Sequence, residues 1–243
     1  MPDHTHELAD TTFAVIDCEA TGLNLEQDRP VEAAVVLLHP DGSVEPTLET
    51  LIDPRIPIPA TASAIHHLVD DDVYGAPSLA DIQPELTATG DAFAAHNAPY
   101  DRTMLGLTHT ANPWICTWRL AMHLWPQAPA HGNQVLRYWL HLDVPQAKGL
   151  PAHRAMADAL VTAAVLRQGL LELHSREDAP ESAEALAEWI ARPAELQHVP
   201  FGKHRGRPWK DMDCGFLEWV LERDFSVDVR HTAALWLERQ RIV

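Results

Sequence analysis

The 243-residue sequence has few cysteines and no long apolar run, the features that mark disulfide-stabilised, secreted or membrane-bound proteins. Its three cysteines, Cys18, Cys116 and Cys214, are too few and too widely spaced for a disulfide framework or a structural zinc site. No apolar run approaches the length of a membrane span, and the first residues lack the basic and apolar pattern of a signal peptide. We therefore expect a cytoplasmic protein that has no membrane partner.

Positive charge is also scarce, with 18 Lys and Arg residues against 35 Asp and Glu residues and a formal net charge of −17. This balance disfavours a repressor-like protein that reads duplex DNA through a broad basic face, because phosphate repels an acidic surface. Residues 1–178 hold 24 acidic and 9 basic residues, whereas residues 179–243 hold 11 and 9. The acidity of the first part is compatible with a divalent-metal enzyme whose carboxylates hold cations.

The hydrophobic pattern predicts three strands in succession, followed by alternating strands and helices. This order is typical of an α/β or α+β fold with a mixed sheet. A proline-rich run, residues 53–59, is predicted to leave the sheet as an extended loop. Strands are predicted at residues 14–16, 31–38, 48–52, 92–95 and 114–116, and helices at 78–87, from 99, at 118–124, 133–141 and 154–174.

A polar stretch, residues 175–182, is predicted to be a linker between a first domain, residues 1–174, and a small, mainly helical domain, residues 183–243. The small domain contains a glycine-rich loop with four cations within eight positions: Lys203, Arg205, Arg207 and Lys210. Such a cluster favours phosphate binding, although the loop could also be a simple glycine turn between strands.

Two carboxylates, Asp17 and Glu19, follow directly on the first predicted strand. Residues two apart on a strand share a face, so these side chains point the same way. They repel each other unless a proton or a metal lies between them. Taken alone, the segment could also be a polar strand end followed by a turn at Gly22.

Two further carboxylates lie at predicted helix starts. Asp101 is in the first turn of the helix after the strand 92–95, with Asn97 as its predicted cap, and Asp158 is in the first turns of the helix 154–174. His153 precedes Asp158 by five residues, on a loop. Each position alone could be a capped helix start or a solvated charge. Together, four carboxylates indicate a site for hard cations such as Mg²⁺ or Mn²⁺.

The order Asp17-x-Glu19, then His96-Asn97-x-x-Tyr100-Asp101, then His153-x4-Asp158 resembles the three motifs of the DEDDh 3′–5′ exonucleases. A sister subclass has a tyrosine four residues before the last aspartate, where this chain has Arg154. The resemblance implies a ribonuclease H-like mixed sheet flanked by helices. It extends, in one deoxyribonuclease branch of the family, to residues 64–66, 95–98, 114–117, 124–126, 149–155, 201–207 and 216–221.

The resemblance implies that the chain releases nucleoside 5′-monophosphates from DNA 3′ ends in repair or recombination. Its partners would be DNA single strands or the 3′ ends of duplexes, with RNA also possible. His153 would take a proton from the attacking water, and two Mg²⁺ ions, replaceable by Mn²⁺, would be held by four carboxylates: Asp17, Glu19, Asp101 and Asp158.

The resemblance also implies contacts with the nucleic acid. Thr21 and Gly22 would present backbone N–H groups to the terminal nucleotide, and Leu23 would wedge against the last base unless it packs beneath the turn. Asn24 stands where the family pattern has glutamine. Cys18 is interpreted as a small buried residue behind the site. The remaining predicted contacts are His66, which could instead be an ordinary surface histidine, Asn97, Lys203, Arg205 and Arg207.

Other functions stay open from the sequence. A ribonuclease T-like or oligoribonuclease-like RNA trimmer and a polymerase proofreading subunit share the three motifs, and a binding module with a lost activity belongs to a different class. The basic loop disfavours the oligoribonuclease type, which holds only a few nucleotides. The sequence does not distinguish DNA from RNA, because contact with the 2′-hydroxyl depends on geometry.

Overall fold

A mixed sheet of five strands forms the centre of the computed structural model, which describes residues 7–87 and 90–241. β1 pairs antiparallel with β2, β2 pairs antiparallel with β3, and β4 and β5 run parallel to β1 on its other side. The predicted mixed sheet is therefore confirmed. The strands are β1 (Phe13–Ala20), β2 (Pro30–Leu38), β3 (Val44–Leu51), β4 (Ala92–Ala95) and β5 (Trp114–Cys116), in the spatial order β3-β2-β1-β4-β5.

Ten α-helices lie within the described residues, and none is long and apolar enough to cross a membrane. Short 3₁₀ turns occupy Leu8–Asp10, Pro145–Ala147, Gly202–His204 and Trp209–Asp211. The helices are α1 (Ala60–His66), α2 (Asp70–Val73), α3 (Leu79–Leu86), α4 (Ala98–Met104), α5 (Thr117–Leu124), α6 (Asn133–Trp139), α7 (Ala155–His174), α8 (Ala183–Ala191), α9 (Cys214–Leu221) and α10 (Val227–Arg241).

Three details differ from the predicted elements. β1 extends four residues beyond its predicted end, so that Asp17 and Glu19 lie within the strand. β3 begins four residues before its predicted start, because Pro46 interrupts the sequence pattern but is tolerated on an edge strand, where the pairing with β2 shifts register. Helices α1 and α2 follow the proline-rich run and were not predicted. Only Ala62 and His66 of the seven residues in α1 are buried, so the helix has almost no apolar period that would reveal it.

The two faces of β1 pack into different cores. Phe13 and Val15 contact the core that contains α7, whereas Ala14, Ile16 and Cys18 contact the core on the other side of the sheet. Because side chains alternate along a strand, Asp17 and Glu19 lie on the α7 face. The long, mostly buried α7 therefore brings its own first turn to the same end of the sheet as these two carboxylates.

Helix α8 packs differently from its predicted position in the small C-terminal domain. Its Ala183, Leu186 and Ile190 belong to the core formed by the sheet and α7. The predicted linker is also tied down, since the Leu8 N–H donates to the Glu181 carbonyl at 2.7 Å. A separate, smaller core follows α8 and is formed by Val199, Trp209, Met212, Leu217, Val220, Val229, Ala233 and Leu237.

A largely buried ion pair joins this smaller core to the first. Arg119 of α5 donates to Asp228 of α10 at 2.6 Å, with 17% and 12% of the two side chains exposed. Arg119 also donates to the carbonyls of Ile190 and Arg192, and Asp228 accepts the Ala194 N–H. The pair therefore fixes the chain segment that leads from one core to the other.

We expect Arg119→Ala to lower the free energy of unfolding by roughly 3 kcal/mol, because Asp228 would remain largely buried without its partner. Urea unfolding followed by tryptophan fluorescence measures this change. The matched control is Arg241→Ala, whose pair with Glu218 is about half exposed and should contribute about 1 kcal/mol or less. Equal, small effects of both substitutions would contradict the assigned role of the Arg119–Asp228 pair.

Candidate active site

The ends of β1 and β4 and the starts of α4, α6 and α7 enclose an open cleft of about 370 Å³. All five residues predicted to be catalytic line this cleft: Asp17, Glu19, Asp101, His153 and Asp158. Cys18, His96, Tyr100 and the segment 132–135 form the rest of its wall. Elements that are far apart in the chain thus bring the three predicted motifs together, although the roles of these residues stay predictions.

Asp101 is held by the backbone of β1. Its Oδ1 accepts the Cys18 N–H at 3.1 Å and the Cys18 thiol at 3.3 Å, and only 3% of the residue is exposed. Cys18 is buried on the opposite face of β1 from Asp17 and Glu19, as interpreted from the sequence. Its contact with Asp101 was not predicted.

Asn97 does not cap α4 with its side chain, in contrast to the prediction. The residue occupies the N-cap position in a left-handed conformation, with φ of 76°, and its side chain makes no cap hydrogen bond. Its backbone carbonyl accepts the Tyr100 N–H instead, at 2.8 Å. The Asn97 side chain is exposed beside the cleft and is free of this structural task.

Asp158 is oriented by three neighbours at the start of α7. Its Oδ2 accepts the His153 backbone N–H at 2.9 Å, and its Oδ1 accepts the Gln134 side-chain amide at 2.7 Å. The Asn133 side chain donates to the Asp158 carbonyl at 3.0 Å. Gln134 and Asn133 were missed in the sequence, where a polar first turn of a predicted helix was their only signal.

His153 lies on the loop before α7, as predicted, and 59% of its side chain is exposed. Its Nδ1 is 4.0 Å from Asp158 Oδ2, and its backbone adopts a positive φ of 60°, which is uncommon for a residue with a side chain. Three possible metal-ligand atoms lie within 4.8 Å of one another, one each from Glu19, His153 and Asp158. The histidine therefore faces the carboxylates from the open side of the cleft.

Burial raises the pKa values of three carboxyl groups in the cleft, and neighbouring carboxylates add to the shift of two of them. Burial, followed by the charges of Asp101, Asp158 and Glu19, raises the pKa of Asp17 well above its usual value. Burial and the charges of Asp158 and Glu32 raise the pKa of Glu19 to about 8. Burial raises the pKa of Asp101 to about 7, against the lowering effect of its hydrogen bonds with Cys18. Full ionisation of the cleft near neutral pH therefore requires a compensating positive charge.

The donor set fits divalent cations. Four carboxylates in one cleft supply the oxygen ligands that Mg²⁺ and Mn²⁺ prefer. Burial and, second, the charges of neighbouring carboxylates raise the pKa values of Asp17 and Glu19, so the ionised side chains repel one another without a cation. A bound cation removes this repulsion by its own charge.

His96 fixes the segment that carries Asn133 and Gln134. Its Nε2 lies 2.8 Å from the His131 carbonyl and its Nδ1 lies 2.9 Å from the Thr117 hydroxyl. Burial lowers the pKa of His96 to about 4, so the ring is neutral near pH 7. A neutral ring satisfies both contacts when Nε2 donates to the carbonyl and Nδ1 accepts from the hydroxyl.

The turn after Glu19 presents Leu23 to solvent. Leu23 is 85% exposed, so the alternative that it packs beneath the turn is wrong. Gly22 is required here, because a Cβ at this position would lie 2.5 Å from Asp28 Oδ2, and its carbonyl accepts the Tyr100 hydroxyl at 2.8 Å. The exposed Leu23 and the constrained Gly22 stay predicted contacts.

Thr21 and Asn24 serve the turn itself. The Thr21 N–H donates to the Arg29 carbonyl at 2.9 Å, and its hydroxyl donates to Asp28, so this N–H is already used and the predicted contact through it is corrected. Asn24 Oδ1 accepts the N–H groups of Glu26 and Gln27. Hydrogen bonds across a turn of this kind leave no pattern in the sequence beyond a cluster of polar residues.

His66 is buried, which contradicts both the predicted nucleic-acid contact and the surface alternative. It ends α1 with 1% of its area exposed, and its Nδ1 accepts the Leu68 N–H at 3.1 Å. Burial lowers its pKa, so the ring is neutral. The prediction was wrong because helix α1, which follows the proline-rich run and buries His66 at its end, was not recognised in the sequence.

The basic loop of the C-terminal part lies on the surface, with Lys203, Arg205, Arg207 and Lys210 all exposed. The Val199 N–H donates to the Arg207 carbonyl and the Gly206 N–H donates to the Val199 carbonyl, so the loop is closed at its base. His204 packs edge-on against Phe216. The predicted cluster of cations therefore exists, and its ligand stays a prediction.

A family model described as "Exonuclease" matches residues 14–166 of the chain, which is more than half of it. Exodeoxyribonuclease 10 of Escherichia coli strain K12 is 32% identical over 229 residues, covering 92% of this chain and 98% of that protein. DNA polymerase III PolC-type of Lacticaseibacillus paracasei is 30% identical over 173 residues, covering 68% of this chain and 12% of that polymerase.

Among solved structures, that of exonuclease X in complex with 5′ overhanging duplex DNA is similar, with a TM-score of 0.62 and 33% sequence identity. The match covers 72% of this chain and 99% of that one. These similarities confirm the predicted ribonuclease H-like fold. The sheet order, the three motifs that meet in the cleft and the matching family model together establish that the chain belongs to the DEDDh 3′–5′ exonuclease family.

Proposed function

We propose that the protein is a Mg²⁺-dependent 3′–5′ exodeoxyribonuclease that releases nucleoside 5′-monophosphates from DNA 3′ ends. The observation that carries this proposal is the convergence of four carboxylates and one loop histidine in a single open cleft. The similarity to exodeoxyribonuclease 10, which covers 98% of that protein, supports DNA as the substrate. The polymerase relatives match only a small part of their own length, which disfavours a proofreading subunit.

Asp17, Glu19, Asp101 and Asp158 would hold the cations. Two divalent ions bound there, Mg²⁺ or in its place Mn²⁺, would supply positive charge that stabilises the phosphoryl transfer. The protein's own part is to keep the four carboxylates in place. The Cys18 N–H holds Asp101, and the Gln134 amide holds Asp158.

His153 would act as the general base. Its Nδ1 faces Asp158, which leaves Nε2 to take a proton from the water that attacks the phosphorus of the terminal nucleotide. The water oxygen forms the new P–O bond, the bond to the 3′ oxygen of the preceding nucleotide breaks, and that oxygen takes up a proton. The exposure of His153 on a loop suits a base that engages only when the substrate is bound.

The terminal nucleotide would be held at the turn after β1. Leu23 is exposed and follows Gly22, whose carbonyl binds the cleft residue Tyr100, so its apolar side chain would contact the last base whatever that base is. Asn97, with its exposed side chain at the start of α4, would contact the same end of the strand. A role in DNA repair or recombination agrees with trimming 3′ ends.

We expect His153→Ala to lower kcat by about 10²–10⁴-fold, because it removes the proton acceptor. We expect Asp17→Asn to abolish nucleotide release and to leave the fold intact or more stable, because it removes a buried charge that its neighbours oppose. The measurement is release of mononucleotides from 5′-labelled DNA and RNA, single-stranded and duplex, with Mg²⁺ and with chelator.

His109→Ala is the matched control for these two variants, since His109 is an exposed histidine outside the cleft. It should leave kcat unchanged within about twofold, a typical effect for a surface substitution. Full activity of Asp17→Asn would contradict the proposal that Asp17 holds a catalytic cation. Loss of Mn²⁺ binding in His153→Ala would indicate that His153 is a metal ligand and not the general base.

The basic loop of the C-terminal part would bind the DNA backbone. The segment 198–210 contains no acidic residue in a chain with a net charge of −17, and its cations are exposed. Phosphate neutralisation by such cations depends strongly on salt. Deleting residues 179–243 would also remove α8 from the core of the first domain, so side-chain substitutions test the loop more cleanly.

We expect the triple substitution Lys203→Ala, Arg205→Ala, Arg207→Ala to raise KM about tenfold and leave kcat unchanged. The slope of log K against log salt for single strands should fall by about 2, or roughly 0.7 for each lost phosphate contact. The control is Arg239→Ala with Arg241→Ala, where each arginine pairs with a carboxylate. An unaltered salt slope in the triple variant would remove the loop from the binding surface.

A further inference from the structure

A fifth carboxylate lies beside the cleft and is bound by an arginine. Glu32 of β2 is the register partner of Glu19 of β1, and only 1% of it is exposed. Arg154 Nε donates to both of its carboxylate oxygens, at 3.1 and 3.0 Å, and Arg154 Nη2 donates to Oε1. The Ala155 N–H donates to Glu32 Oε2 at 2.9 Å. The buried carboxylate is therefore satisfied by two successive residues of one short segment.

This segment is the start of α7. Arg154 is the N-cap residue, and its own side chain makes no cap hydrogen bond. The cap is supplied from β2, because Glu32 accepts the first N–H of the helix, where the helix dipole favours a negative charge. The Arg154 carbonyl accepts the Asp158 N–H at 3.0 Å, which closes the first turn. Strand β2 thereby fixes the end of α7 that carries Asp158.

His153 is the residue directly before this fixed point. Its positive φ is uncommon for a residue with a side chain and persists only where the neighbouring structure holds it. Its backbone N–H reaches Asp158 Oδ2, so His153 and Asp158 move together with the first turn of α7. A displacement of Arg154 would therefore shift the proposed base and one proposed metal ligand at once.

Charge gives the arginine a second effect. Glu32 is the register partner of Glu19, so its buried carboxylate places a further negative charge beside that residue. The Arg154 guanidinium, in contact with Glu32, neutralises this charge. A lysine would keep the positive charge but not the planar, two-pronged contact with Glu32.

We propose that Glu32 and Arg154 are positioning residues that lock the first turn of α7 against β2, so that His153 and Asp158 face Asp17 and Glu19. This inference rests on the proposed nuclease function. A plain structural ion pair is the alternative. It would change the stability of the protein, as a broken buried pair does, without a selective effect on turnover or cation binding.

The test compares Arg154→Lys and Glu32→Gln with the wild-type chain. We expect kcat to fall about 10–100-fold with KM unchanged within about twofold, and Mn²⁺ affinity to fall about tenfold, as for other groups that orient metal ligands. Arg154→Lys should be the milder variant, since it keeps the charge. Amide exchange at Ala155 should become faster in both variants, because its acceptor is lost or displaced.

Arg239→Lys is the matched control, because Arg239 also makes a two-pronged contact with a carboxylate, donating from Nη1 and Nη2 to Glu195 on the surface of the C-terminal part. It should change neither kcat nor Mn²⁺ affinity. The proposal is overturned if Arg154→Lys keeps both values within twofold of wild type, or if its activity falls only in parallel with its unfolding temperature. If the Glu32→Gln variant does not fold, the results for Arg154→Lys alone test the proposal.

Failure of the proposed function has a different signature. In that case the wild-type chain itself releases no nucleotide, with any divalent cation. The Mn²⁺ titration and the amide exchange still test the positioning role, since neither requires turnover. Equal Mn²⁺ affinity in Arg154→Lys and wild type would then overturn the inference independently.

Discussion

Mutual repulsion among carboxylates at the end of β1 is the constraint on which the rest of the structure depends. Two unit charges 4 Å apart repel by about 4 kcal/mol at an effective dielectric constant of 20. Burial raises the pKa values of Asp17, Glu19 and Asp101, and the charges of neighbouring carboxylates raise those of Asp17 and Glu19 further. A site of this kind persists only on rigid elements, and β1, paired on both sides within the sheet, is such an element.

Paired strands and helix starts hold the four carboxylates of the cleft, whereas the loop before α7 carries His153, whose side chain is 59% exposed. Glu32 and Arg154 connect these two parts of the site, because they anchor the loop at the point where it becomes helix α7. The proposed base is therefore open to the substrate but tied to the same helix start as Asp158.

The sequence was informative wherever a local pattern carries the structure. Alternation along β1 placed Asp17 and Glu19 on one face, and helix starts placed Asp101 and Asp158. Contacts between distant segments were not predictable in this way: Gln134 with Asp158 and Glu32 with Arg154 join residues 24 and 122 positions apart. His66 was misplaced for the same reason, since its burial depends on how a short, polar helix docks.

The central claim is that crowded carboxylates form a cation site, and calorimetric titration with Mn²⁺ in two buffers of different ionisation enthalpy tests it most directly. Metal ligands must be deprotonated, so binding displaces protons from carboxylates whose pKa is raised. Glu19, with a pKa of about 8, and Asp101, with a pKa of about 7, are partly protonated at pH 7 without a cation. The account predicts release of about one proton or more per chain at pH 7 and less at pH 9. Absence of Mn²⁺ binding, or binding that releases no proton at pH 7, would contradict it.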